Sequence, residues 1–543
     1  MTIESDGDRD TFPADESTTT PWYLAALAGA LAAGLALGVA ELLSGISKRV
    51  PSLVDSIADW TIDNGFEALD NWSRSTFGTS QKTALVTGIT ITAIVFGAIA
   101  GVMSRNDHKV GIYIFSAFAV VGGLATWSYE LANTEWGWFA AAVTGLVGAG
   151  SLPILLYAAA HRSPAPVGRI GGASLSERRR FLTIGGGAAV AGLAASAVGK
   201  SLTNGRNVAA GQATVAEALE AIATPAPVAT EVPVVAPTAA TVPNLDYVDG
   251  LSSLVTPADE FYLIDTAVTY PLIDVNTWTL KITGLVDQEI EIDFADLLAM
   301  DIVEKSVTLS CVSNEVGGTL VGNAIWRGVP LQDVLDLAGV NAEATQIVPR
   351  SVDGWDCGFP TEAAYDGRTA LVAFAMNDEP LLVQHGFPVR LVVSGLYGYV
   401  SATKWLDEIE LTTWEDFDGF WIPRGWAKDG PIKTQSKIEV PKTRSPIAAG
   451  LTPVAGVAWA PNKSITAVEV RIDGGDWMPS TLSEEVSGDS WRQWMVQWDA
   501  TPGQHVIECR ATDGTGYTQT PELADPRPDG ASGWHTIGVT VAA

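Results

Sequence analysis

Between Pro21 and about Ser44 the chain is almost uninterruptedly apolar (WYLAALAGALAAGLALGVAELL), and similar runs recur at roughly 83–103, 109–128 and 137–160. A helix needs ~20 apolar residues to cross a hydrocarbon core. The pattern therefore predicts a four-helix transmembrane region over 21–160, preceded by a polar, acidic cytoplasmic tail at 1–20. These runs are rich in Gly and Ala, whose small side chains let helices approach closely where lipid supplies no hydrophobic drive. Residues 51–75 contain Trp60, Trp72 and several acids and read as an interfacial or looped segment.

Placement of Lys and Arg sets the orientation. Arg105 and Lys109, and then Arg162, Arg169, Arg178, Arg179 and Arg180, mark cytoplasmic loops; the 129–136 loop has neither residue type and belongs outside. Lys48, Arg49, Arg74 and Lys82 run against this assignment. The stretch SERRRFLTIGGGAAVAGLAASAVG then places Arg178-Arg179 before a weakly apolar, Gly-rich run and resembles a twin-arginine export signal. The other reading is a final bundle helix with cytoplasmic arginines. Residues 161–203 are thus a cytoplasmic loop and a twin-arginine-like fifth helix, with Ala195-Ser196-Ala197 as a candidate cleavage site. Both readings give a multi-pass protein of the cell membrane whose residues after 203 are extracytoplasmic.

Residues 204–247 are rich in Ala, Thr, Pro and Val with few charges and read as an extended linker. From 248 to about 430, short β-branched and aromatic runs alternate with patches such as DFADLLAM and LQDVLDLAG, the texture of an α+β domain. From 440 to 543, alternating segments such as AVEVRID and WRQWMVQWD are separated by Gly and Asp turns and predict a β-sandwich.

Composition narrows the function. A hydrophobic share of 47% and a mean hydropathy of +0.20 fit a partly membrane-embedded chain of 543 residues. Acidic residues outnumber basic ones 62 to 32, a formal charge of -30, and this excludes a nucleic-acid partner. Cys311, Cys357 and Cys509 form no C-x-x-C pair, and the five histidines show no H-E-x-x-H spacing, so a disulfide framework and a zinc hydrolase are set aside. Glu41 and Glu130 lie at span ends, where water reaches them, and mark no ion path through the bundle.

Two segments hold candidate chemistry. In TLSCVSNEVGG, Cys311 ends a β-rich run and precedes Asn314 and Gly317-Gly318, a turn able to bring backbone and thiolate against a bulky ligand. The other reading is a buried small hydrophobe. In HGFPVRLVVSGLYGYVSATKW, His385, Arg390 and Lys404 enter an otherwise apolar region. Buried charge needs a partner, either an anion such as a phosphate or the nearby Asp407, Glu408 and Glu410.

Together these segments resemble the molybdopterin-binding core of the sulfite oxidase family, over about residues 248–543. An L-x-C-x-x-N motif is matched by Leu309, Cys311 and Asn314, followed by Gly322-Asn323-Ala324-Ile325-Trp326; an H-G-F-P-x-R block by His385 to Arg390; and a K-W pair by Lys404-Trp405. The resemblance implies a sulfite-oxidase-like α+β catalytic domain at 248–430 and an immunoglobulin-like dimerisation domain at 440–543, hence a homodimer. It implies Cys311 as molybdenum ligand, with Asn314, His385, Arg390 and Lys404 binding the molybdenum-molybdopterin cofactor. A thiolate is a soft, strongly donating ligand for such a metal. The expected activity is oxygen-atom transfer on a small extracytoplasmic substrate. Where relatives carry an Arg-Asn-His-type run that binds anionic substrate, this chain reads Phe261-Tyr262-Leu263-Ile264-Asp265, which argues against sulfite. No C-x-x-C-H occurs, so no haem is expected in the chain and electrons pass to a separate protein or quinone-linked carrier. The alternative is a catalytically inactive, membrane-tethered scaffold that keeps the fold.

Overall fold

The computed structural model describes residues 20–47, 50–64, 81–127, 134–160, 175–204, 208–221, 241–267 and 270–542. The chain divides into two compact units, Met1–Gly205 and Arg206–Ala543. The expected cytoplasmic tail, the 161–174 loop, Glu130 and residues 222–240 of the expected linker lie outside the described residues, as do the side chains of Arg178 and Arg179.

The first unit is helical: α1 (Trp22–Ile46), α2 (Leu53–Asn64), α3 (Gln81–Met103), α4 (His108–Trp127), α5 (Thr134–Ala160) and α6 (Leu175–Asn204). Five of these, all but α2, are long and apolar enough to cross a bilayer. What the sequence left as interfacial or looped is helical at 53–64. After α1 the chain turns, and Ser52 Oγ donates to the Glu41 carboxylate at 2.9 Å, which ties the end of α1 to the start of α2. The buried positions of α1 are all Ala or Gly: Ala25, Ala28, Gly29, Ala32, Ala33, Ala36, Gly38, Ala40 and Gly45. Glycine permits the closest approaches. A Cβ on Gly192 of α6 would stand 3.1 Å from the Gly34 carbonyl, and one on Gly199 would stand 2.9 Å from the Leu42 Cα.

The second unit contains four β-sheets. An antiparallel sheet of order β10-β8-β5-β4 is built from β4 (Val303–Ser310), β5 (Val321–Pro330), β8 (Ala370–Met376) and β10 (Arg390–Val393). Every residue of β8 (ALVAFAM) is buried, which is why this central strand is a continuous apolar run and does not alternate. A mixed sheet joins β2 (Thr279–Gly284) in parallel to β11 (Leu406–Thr412), with β3 (Ile290–Asp293) and β6 (Gln346–Ser351) on their flanks.

The C-terminal part is a sandwich of two five-stranded sheets. One holds β12 (Gln435–Val440), β14 (Gly450–Trp459), β17 (Thr481–Ser483) and β18 (Arg492–Ala500); the other is centred on β15 (Ile465–Ile472), β19 (Gly503–Asp513) and β20 (His535–Ala542). Val454, Val470, Trp494, Ile507 and Ile537 from both sheets form its core. Burial alternates along β20, as the period-2 sequence requires. The sandwich is fastened to the catalytic sheets by Asp489, whose buried carboxylate accepts from Ser394 Oγ (2.5 Å), Thr369 Oγ1 (2.6 Å) and Asn462 N (3.0 Å).

The linker expectation is corrected at both ends. Residues 208–221 form helix α7 (Val208–Ala221), which buries Val208, Val215 and Leu219 in the catalytic core, and Gln212 Nε2 donates to Leu381 O at 3.0 Å. The apolar positions 208, 211, 215 and 219 recur at helical spacing, a signal hidden by the uniform Ala-rich composition. Farther on, β1 (Thr241–Val242) pairs in parallel with β17, and Leu245 and Val248 are buried beside Ala455.

Candidate functional site

Strand β4 pairs with β5 along its whole length and delivers Cys311 to the point where the ladder ends. The loop 311–320 is closed at its root. Cys311 N donates to Leu320 O at 2.9 Å, and Leu320 N donates to Asn314 Oδ1 at 2.9 Å. Gly318 leaves room for that amide, since a Cβ there would stand 2.5 Å from Asn314 Oδ1. The Ser313 N–H points at Cys311 Sγ from 3.4 Å, the arrangement that favours negative charge on sulfur.

The second expected segment meets Cys311 across a cleft whose lining includes Cys311, His385, Arg390 and Lys404. His385 ends a short 3-10 turn, and Gly386 (φ +106°) follows in the left-handed region. A Cβ on Gly386 would stand 2.9 Å from the Lys404 Cβ, so glycine lets these two strands of the site close together. His385 Nε2 donates to Ala258 O at 2.6 Å, and burial lowers its pKa to about 4, which keeps the ring neutral. Arg390 Nη1 donates to His385 O at 3.1 Å, and the guanidinium lies over the Trp326 ring at 4.9 Å. Burial lowers its pKa to about 10, still leaving a cation at neutral pH.

Lys404 corrects one expectation. Its ammonium is not held by Asp407, Glu408 or Glu410 but donates to Asp265 Oδ2 at 2.5 Å and to Gln384 O at 2.9 Å. Glu410 is taken instead by Arg350, and Glu408 accepts from Thr283 Oγ1 at 2.8 Å. Asn314 is not among the lining residues, and its described bond serves the loop that carries Cys311.

The remaining wall includes Tyr262 and Asp265, from the run 261–265, and Asp353, Trp355, Tyr399 and Trp421, which the sequence did not single out. Burial, with the Cys311 sulfur nearby, pushes the Tyr262 phenol well above its ordinary range. Burial likewise raises the Asp353 carboxyl. Only the run 261–265 carried a signal, because the motif comparison drew attention to it. The other two cysteines are buried away from the cleft lining. Cys357 Sγ lies 3.4 Å from Thr403 Oγ1, and Cys509 Sγ lies 3.3 Å from Ser436 Oγ; burial pushes both thiols up, Cys509 to about 12. Among the described residues no group of three or more His, Cys, Asp or Glu side chains forms a metal cluster.

One cysteine facing two basic side chains, Arg390 and Lys404, across a cleft is a set of groups able to hold a soft metal carried by an anionic organic ligand. Comparison with known proteins gives a family. Residues 267–421 match the family described as "Oxidoreductase molybdopterin binding domain". The Bacillus subtilis (strain 168) protein named "Uncharacterized oxidoreductase YuiH" is 36% identical over 157 residues, which cover 29% of this chain and 76% of that protein. Human mitochondrial sulfite oxidase is 28% identical over 324 residues, 50% of this chain and 59% of the relative, so this chain spans less than two thirds of that enzyme. Among solved structures, the sulfane dehydrogenase SoxCD from Paracoccus pantotrophus aligns with a TM-score of 0.48 at 24% identity, covering 53% of this chain and 82% of that one.

Proposed function

Because the chain belongs to the sulfite oxidase family of molybdopterin-dependent oxidoreductases and is a molybdenum enzyme, we propose that it is anchored in the cell membrane by its apolar helices and acts outside the cytoplasm on a small, uncharged substrate. The observation that carries this reading is the convergence of Cys311, His385, Arg390 and Lys404, from two separate stretches of sequence, on one cleft.

The residues present fit the cofactor. Cys311 would supply the metal ligand, and His385, Arg390 and Lys404 would hold the pterin phosphate, with Asn314 fixing the loop that aims the thiolate. When bound, the cofactor supplies two-electron oxygen-atom transfer. The protein's part is to orient and to exclude. Tyr262, kept protonated by burial, offers a hydroxyl donor beside Cys311. Trp355 and Trp421 wall the cleft, and the Asp265 carboxylate offsets part of the positive charge that Lys404 brings to it. Sulfite is therefore disfavoured, and an S-oxide or N-oxide suits the site.

Electrons then move to or from a separate carrier protein or a quinone-linked one. The immunoglobulin-like sandwich is the surface for homodimer formation, and the exposed Leu451 and Leu523 on it support that assignment. The first test is metal and pterin analysis of the full chain from a host that makes the cofactor. About one molybdenum per chain is expected, lost in Cys311→Ser; metal kept at full occupancy in Cys311→Ser and Cys311→Ala would overturn the ligand assignment.

A further inference from the structure

The root of loop 311–320 is tied by its own hydrogen bonds, but its flank and tip rest on the C-terminal sandwich. Val312, next to Cys311, is buried in a cluster with Val457 and Trp459 of β14 and with Trp491. At the tip, Gly317 has φ +77°, and the space a Cβ would need is filled by the imidazole of His535, nearest at Nε2. That ring is itself fixed. His535 opens β20, and its Nδ1 accepts from Ile438 N of β12 at 2.9 Å. The sandwich thus presents a rigid edge to the tip of the loop and an apolar socket to its flank.

We propose that the C-terminal sandwich positions the metal-ligating thiolate, with His535 acting as a positioning residue on Cys311 through Gly317. The role in metal binding rests on the ligand assignment above; the clamp itself does not. Local opening of a loop raises the reactivity of the groups it shelters without unfolding the rest of the domain.

The test uses the full chain, produced without cofactor and treated with iodoacetamide, with alkylation of each cysteine followed by mass spectrometry. Cys311 is 7% exposed, whereas Cys357 is 1% exposed, lies away from His535 in the chain's pairing and acts as the internal reference. In His535→Ala, alkylation of Cys311 is expected to accelerate on the order of tenfold while Cys357 stays unchanged. His535→Gln, which retains the reach of the ring nitrogen, should stay near the wild-type rate. An unchanged Cys311 rate in His535→Ala, or acceleration of Cys311 and Cys357 together, would each overturn the clamp. These rates do not depend on whether Cys311 holds the metal, so failure of the ligand assignment shows separately as molybdenum retained in Cys311→Ser.

Discussion

In the helical unit the buried residues of the first helix are alanines and glycines, among them Ala25, Ala28, Gly29 and Ala32, while Ile91, Phe96, Leu146 and Leu193 face outward. In the second unit the largest side chains are the most deeply buried, among them Trp326, Phe374 and Trp494. The difference is the one expected if the helices lie in lipid, as proposed, and the second unit in water. Apolar surface gains nothing by leaving lipid, so helices there cohere by close backbone approach, whereas in water the bulk of the stability comes from burying large apolar groups.

Substitutions can sharpen this contrast. The largest effect is expected for Trp326→Ala, which removes a fully buried indole and the platform under Arg390; it should cost about 4 kcal/mol, read as a lower denaturation midpoint of the full chain in detergent followed by tryptophan fluorescence. Acid should act next. His385 is neutral when folded, with its pKa lowered to about 4 from 6.5, so the unfolded chain takes the proton first as pH falls. The stability it contributes is complete above the unfolded value and is lost between there and about 4, roughly 3 kcal/mol. His385→Gln should flatten that part of the pH profile, and an unaltered slope would show that another group governs it. In the bundle the scale is smaller and the ranking of sizes inverts. Gly192→Val should cost about 2 kcal/mol by forcing α6 away from α1, whereas Leu193→Ala, on the outward face, should shift the thermal transition by less than about 0.5 kcal/mol. A larger loss from Leu193→Ala than from Gly192→Val would break the comparison.

Much of this was readable in the chain. The apolar runs marked the helices that are long and apolar enough to cross a bilayer, and Cys311, His385, Arg390 and Lys404 stood out as candidates because each sits in a short motif with fixed neighbours. Contacts between distant segments were not. Asp265 is separated by 139 positions from the lysine it pairs with, and local sequence offered Asp407, Glu408 and Glu410 first. Helix α7 escaped because Ala and Val at helical spacing look the same as Ala and Val in a linker until a partner surface is known. His535 carried no local signal, since its meaning lies in a glycine more than two hundred residues earlier.

The path of the chain through the second unit has a consequence for the timing of biosynthesis. Strand β1 at 241–242 needs β17 at 481–483, and the tip of the Cys311 loop leans on the residue that opens the last strand, β20. A ribosome releases the polypeptide from its N-terminus onward, so an emerging chain that has passed Cys311 still lacks the surfaces that seat it. Completion of the site is therefore a post-translational event, and a nascent chain stalled before residue 535 would present its thiol on an unsupported loop.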